Sequence, residues 1–487
     1  MAKKTDDPRV ISMPAPQGVD THPDFTIKAR PAEYEDQDWM EITPYRVKCS
    51  GMDLAKAALQ EHPVCLSSLE VDGPLETIVR WSGGTINKAE ILPSIYKIGV
   101  EILGQDSVRF TMETPRDVML LLNGNKWTTL HLVINPIDHN APTCDTKDIW
   151  YFGPGINNGE AYQNVVDGKL RVPSGKTVYL SRGAFLTAGL HFKDVDSAGV
   201  CGPGFIYHPG KSSNFRMEQH GAVLIENSRN ISVRDVTVVT AKGFAFLAGE
   251  SKGVTVSRYR SFSSEGNGDG LHFLSTSDVK IEKSFIRSSD DCIAINCDRW
   301  EYHGSSENYT VDDCVLLADV AHPILVGTHG DPERPSSIRN IKVSSVDILD
   351  HEEPQVWYQG CIALNAGDGN LLENFSFTDI RVRRITKGQL VNIRVMQNAM
   401  WTTGPGRGVR NITFENLELS SGMSENVYPS QILGYDRARC IEGITFRNLM
   451  IEGKKIQADM EKPRWYSVED FVPVFVNEHV TGLAFVK

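Results

Sequence analysis

Three aspartates and a histidine carry the chemistry most open to reading. Residues 267–296 run NGDGLHFLSTSDVKIEKSFIRSSDDCIAIN, with Asp269 at the head of one apolar segment, DGLHF, and the adjacent Asp290 and Asp291 at the head of the next, DDCIA. His322 heads a third segment, HPILV. If the three segments are neighbouring strands, spaced by about 4.8 Å, four polar groups meet on one patch. Carboxylates this crowded cannot all ionise, so one keeps its proton while others stay charged. One acid beside one base is what hydrolysis of a glycosidic bond requires. A protonated His322 would hold the acid in place and tune it. Asp290 and Asp291 can both face outward only if a strand begins at a corner there, because burying either unpaired would cost several kcal/mol. The plainer reading is an aspartate ladder that caps turns or holds calcium. Histidine is a poor calcium ligand, so neither a metal nor another cofactor is expected.

The elements that would position these groups show in a repeat. Apolar residues recur at offsets 0, 2, 5 and 7 in Ile231, Val233, Val236, Val238, and again in Ile341, Val343, Val346, Ile348. The phrases opening at Phe375, Ile412 and Ile444 keep the rule, and weaker copies open at Val200, Val254, Val279 and Tyr309. Two strands joined by a one-residue corner explain the change from even to odd offsets, since the bend turns the inward face over. A third short strand follows each phrase, as in GFAFLAG, DGLHFLS, DDCIAIN, HPILVGT and GCIALNA. A unit of this size cannot close a core alone, so the units must stack, as coils of a right-handed parallel β-helix do. Leucine-rich and propeller repeats fit neither the spacing nor the strand number. Asn230, Asn308, Asn340, Asn374 and Asn411 open many phrases and read as stacked turn residues.

The rest of the chain divides around that repeat. Residues 1–24 read as a polar arm, 25–147 as a β-sandwich-like domain of short alternating runs, and 148–487 as the β-helix. Only Met52 to His62, MDLAKAALQEH, has a helical look. With 50 basic and 62 acidic residues and no basic run, the chain offers nothing for nucleic acid to track along. No secretory signal or membrane span is read, and nine scattered cysteines without a CxxC pair suit buried thiols in a reducing cytoplasm. Glu352 with Glu353 reads as solvated turn surface, and His272, His303, His329 and His351 as turn or rim residues, with His329 the best placed to touch a substrate.

Between about Tyr151 and Gly453 the sequence resembles the polygalacturonase family, glycoside hydrolase family 28, in the clan it shares with the dextranase and isopullulanase family. The family's N-T-D-G is matched by Asn267 to Gly270, its G-D-D-C-I-A-I by Ser289 to Ile295, and its G-H-G more loosely by Ala321 to Pro323. The resemblance implies an inverting hydrolase acting on an oligosaccharide. Asp290 would be the general acid, Asp269 and Asp291 would activate the water, His322 would support the acid, and Asn267 would lie near the sugar. The family's R-I-K, which binds the galacturonate carboxylate, should fall on GCIALNA (Gly360 to Ala366), where no cation stands. Arg394 or Lys387 would have to replace it, or the sugar is neutral. Trp300, Trp357, Tyr358 and Trp401 lie in turns from which they could stack on sugar rings. Extra length at 299–306 and 328–337 would wall one end of the cleft and favour exo action. A dextranase-like hydrolase, a polysaccharide lyase and a non-catalytic carbohydrate-binding β-helix remain as alternatives.

Overall fold

The computed structural model describes residues 9–33, 38–53, 55, 56, 58–208, 221–240, 243–421, 426–460 and 473–486. Its core is a parallel β-helix. Two strands of each coil lie in one 22-stranded sheet, and the third lies in a 12-stranded sheet. The 0, 2, 5, 7 residues point inward as the repeat requires: Ile231, Val233, Val236 and Val238 sit in one continuous core with Ile341, Phe377, Phe414 and Phe446. At the corner between the paired strands, one residue per coil takes a left-handed backbone, among them Asp235 (φ 68), Asp313 (φ 53), Ser345 (φ 53) and Asp379 (φ 56). That single residue is what inverts the inward face. The asparagines are left-handed too and stack from coil to coil: Asn340 Nδ2 donates to Asn308 Oδ1 at 3.0 Å, and Asn411 Nδ2 to Asn374 Oδ1 at 3.2 Å.

In front of the helix, residues 10–136 form a six-stranded and a five-stranded sheet. Ile27, Val79, Phe110, Leu120 and Leu132 fill the space between them. The six-stranded sheet is buried on both faces, which is why VMLLL (Val118–Leu122) is continuously apolar instead of alternating. Its outer face packs Val47, Val64, Leu121 and Val133 on Phe185, Phe205, Phe262 and Phe285 of the helix.

The helical reading of Met52 to His62 is corrected. Strands Tyr45–Asp53 and Ala58–Val71 form an antiparallel hairpin through this segment, with Met52 opposite Leu59. Alanine, leucine, lysine and glutamate favour a helix only weakly, and pairing along a fourteen-residue strand anchored by buried Val64–Leu66 outweighs that preference.

Candidate active site

The third strands fix where the polar groups stand. Leu271–Leu274, Ile293–Asn296 and Ile324–Val326 pair in parallel, with Leu271 opposite Ile293 and Ile293 opposite Ile324. The turns that enter them therefore superimpose, and they carry Asp269, the pair Asp290 and Asp291, and His322. Both aspartates of the pair precede the strand, in the bend that the sequence demanded. The glycines beside Asp269 allow the close approach. A Cβ on Gly270 would stand 2.2 Å from Ile286 Cγ2 and 2.7 Å from the Cys292 carbonyl, and one on Gly268 would stand 2.3 Å from Ser289 Oγ.

Each carboxylate has its own donors. Asp290 accepts the Asn267 N–H at Oδ2 and the Asp291 N–H at Oδ1, both at 3.0 Å. Asp291 Oδ1 accepts the His322 backbone N–H at 3.1 Å and lies 2.7 Å from His322 Nδ1. Asp269 Oδ2 lies 2.5 Å from His272 Nδ1. His322 thus bonds Asp291 and not the expected acid, Asp290, on which it acts through charge alone. Its Nε2 donates to the Tyr358 carbonyl. Burial alone would lower the His322 pKa, but the Asp291 charge and hydrogen bond, Glu353 and that carbonyl outweigh it and push it up to about 9. His322 is accordingly an imidazolium at neutral pH.

Burial also raises Asp290 well above the usual carboxylate range, with Asp269 and Asp291 adding to the effect. Asp269 is raised by burial and by Asp291, with Arg299 and His322 pulling the other way. Both shifts favour the protonated form, and charges this close oppose full ionisation of the cluster. Asp290 is the partly exposed member, while Asp269 and Asp291 are 3% and 6% exposed, so Asp290 is the one most open to a ligand.

The three aspartates line a cavity of about 320 Å³, with His322 behind Asp291 and outside the lining. Of the expected substrate contacts, Asn267 and His329 reach its wall. Trp300, Trp357 and Arg394 do not. Trp300 packs near Phe244, and Trp357, 64% exposed, lies 5.1 Å from the guanidinium of Arg394, which is bound to Gln431. Lys387 is engaged through its backbone beside Glu353, likewise away from the cavity wall. Tyr358 and Trp401 do form wall, stacked 5.8 Å apart, with Trp401 Nε1 held by Gln355 Oε1 at 3.0 Å.

Arg299, which opens the 299–306 segment expected to wall the cleft, lies against the cavity, its guanidinium over the Trp300 ring at 4.4 Å and without a hydrogen bond or ion pair to the described residues. Its charge was given no role in the sequence reading, and other wall residues escaped it. Glu353, read as solvated, is buried at 2% exposure and accepts the Gln355 N–H at 2.6 Å, while Glu352 is paired with Lys126 at 2.8 Å. His272 and His351, read as turn or rim residues, are buried. His272 lies in the Leu271–Leu274 strand and not in a turn, and each ring has a polar partner, Asp269 for His272 and the Ala321 carbonyl for His351. Met52 and Leu59 reach the wall from the preceding domain. No local pattern announces that contact.

A sequence profile of glycosyl hydrolases family 28 matches residues 182–467, more than half of the chain. A polygalacturonase of Chamaecyparis obtusa is 26% identical over 131 residues, 26% of this chain and 24% of that protein. Another, of Juniperus ashei, is 20% identical over 226 residues, 45% of this chain and 41% of that protein. The chain thus matches less than half the length of either relative. Among solved structures, Dex49A from Penicillium minioluteum superimposes with a TM-score of 0.59 at 9% identity, covering 97% of this chain and 96% of that one. That likeness extends the shared fold over the domain in front of the helix.

Proposed function

The chain belongs to glycosyl hydrolases family 28, and from that premise we propose that it is an inverting, exo-acting hydrolase of short oligosaccharides. The observation that carries the reading is a partly exposed carboxyl, Asp290, whose pKa is raised by burial and by its neighbours Asp269 and Asp291, beside two buried carboxyl groups with their own hydrogen-bond donors. Asp290 gives its proton to the glycosidic oxygen as the bond to the anomeric carbon breaks. Water attacks that carbon from the opposite face and loses a proton to Asp269 or Asp291. The cavity lies at the small end of the range for ligand pockets, which suits one or two sugar rings at a chain end.

The sugar itself is open to one direct choice. GCIALNA is a buried strand segment without a cation, which favours a neutral substrate; Arg299 is the cation that could take an acidic one. Reducing-end release from oligogalacturonides and from neutral oligosaccharides, with Asp290→Asn as control, tests both. Cleavage by the parent chain, lost by at least a thousandfold in Asp290→Asn with binding retained, is the expected result (order of magnitude about 10³). Loss of binding and turnover together would count against Asp290 as the acid. The first-formed anomer, read by NMR, must be inverted; retention overturns that part of the reading. Long products from a long substrate would overturn exo action.

A further inference from the structure

Of the three clustered aspartates, Asp269 alone takes its side-chain donor from a neutral ring. His272 stands on the outward face of the Leu271–Leu274 strand, its Nδ1 2.5 Å from Asp269 Oδ2. On the far side of the ring, Nε2 lies 3.3 Å from Asn296 Nδ2. The Asn296 amide cannot be reversed, because its Oδ1 accepts the His329 backbone N–H at 3.0 Å. An amide nitrogen only donates, so Nε2 of His272 must accept, and a neutral imidazole then carries its one proton on Nδ1. That N–H points at Asp269. The charged alternative is removed by the surroundings: His272 is 3% exposed, and burial, then Arg299, push its pKa down to about 3.

We propose that Asn296 and His272 form a relay that holds Asp269 as an oriented carboxylate, making His272 a positioning residue for the base. The proposal rests on the hydrolase reading above. A donor on Oδ2 favours the ionised form, as does the backbone N–H of Asp269, and fixes the direction in which Oδ1 would meet water. The groups facing Asp269 are Asp291, Arg299 and His322, and Asp290 senses its charge in turn. Those facing His272 are Arg299 and Asp291, with His329 adjacent. Asp291 opposes ionisation of Asp269, so a fixed donor matters more here than at an isolated carboxylate. The two members of the base pair are therefore served differently, Asp291 by the imidazolium of His322 and Asp269 by a neutral histidine whose tautomer Asn296 sets.

The test compares full-length His272→Leu and His272→Asn on whichever substrate the parent chain cleaves, with kcat/KM followed against pH. Leucine removes the donor; asparagine returns an N–H near the place of Nδ1. The expected result is a fall of about tenfold to a hundredfold for His272→Leu, with its acidic limb moved up by about one pH unit, and recovery of the limb in His272→Asn. Equal losses in both variants with an unmoved limb overturn the proposal. Should His272→Leu fail to fold, Asn296→Asp keeps the acceptor for His329 but turns an acceptor toward Nε2. His272 then becomes an imidazolium between two carboxylates, and the acidic limb must move down; an unmoved limb overturns the relay. The tautomer is readable without any substrate. Nitrogen-15 NMR of His272 must show a protonated Nδ1 and a bare Nε2 between about pH 5 and 8, and the opposite tautomer overturns the proposal. A parent chain that releases no reducing end from any sugar, yet shows this tautomer, would fail the hydrolase reading and leave the hydrogen-bonded relay standing.

Discussion

At the scale of single residues, the charge on His322 sets an alkaline limit. Its folded pKa of about 9 lies above the 6.5 of a free histidine. The stabilisation it brings is therefore complete below about pH 6.5 and is lost as pH rises through 9, at a cost on the order of 3 kcal/mol. Thermal melts of the parent chain should fall across that window, and His322→Phe should start low and lose most of the dependence. Arg299 permits a separate prediction. Its guanidinium faces the carboxylates across the cavity without a bonded partner among the described residues. Arg299→Gln should raise KM for an acidic oligosaccharide by about tenfold or more and leave a neutral one little changed, since a charge-assisted pair is worth roughly 1.5–3 kcal/mol. Equal effects on both would show that Arg299 serves the aspartates instead. The aspartates were legible because their types and order are local. Glu353 and His272 were not, and Arg299 was placed only as part of a wall segment, because their roles follow from burial beside the cavity, which is a property of the folded chain and not of the local sequence.

At the scale of elements, the repeat was legible because both strands of each phrase turn apolar residues to one interior, and the offset change records the left-handed corner between them. The part of the 45–71 hairpin from Met52 to His62 was misread for the complementary reason. Its helical composition is a local preference, whereas its pairing is decided by the buried part of the strand and by the partner sheet. The turn at Gly270 joins this level to the chemistry. A methyl there meets the Ile286 side chain and the Cys292 backbone, neither of which can swing away, so the entrance to the Leu271–Leu274 strand must shift and carry Asp269 with it. Gly270→Ala should lower stability by about 1–3 kcal/mol and reduce kcat by more than that loss explains at a temperature where the variant is folded. Calorimetry and kinetics on the same preparation separate the two effects. An unchanged kcat would mean that the turn tolerates the shift without moving Asp269.

At the scale of the whole molecule, the two parts of the chain share a polar seam as well as an apolar one. Arg287, fully buried in the helix, bonds Asp319 at 2.7 and 3.2 Å, His131 Nε2 at 2.8 Å and the Lys126 carbonyl at 3.0 Å. Arg287→Ala would leave the buried Asp319 with Lys126, 3.7 Å away, as its one ion-pair partner among the described residues, and should cost about 3–5 kcal/mol, visible as a lower melting temperature. The seam matters for function because it fixes the hairpin whose far end reaches the cavity. Ser50 Oγ donates to the Ser264 carbonyl at 2.6 Å, just ahead of Asn267, and Met52 and Leu59 then form wall. Both side chains are only partly buried, so shortening them removes wall without removing core. If the hairpin closes the cleft, the double variant Met52→Ala, Leu59→Ala should keep its melting temperature within a few degrees and release longer fragments from a long oligosaccharide. Chromatography of the products decides it: single sugars from both proteins would place the closure elsewhere in the wall, for which Trp401 and Tyr358 are the aromatic candidates.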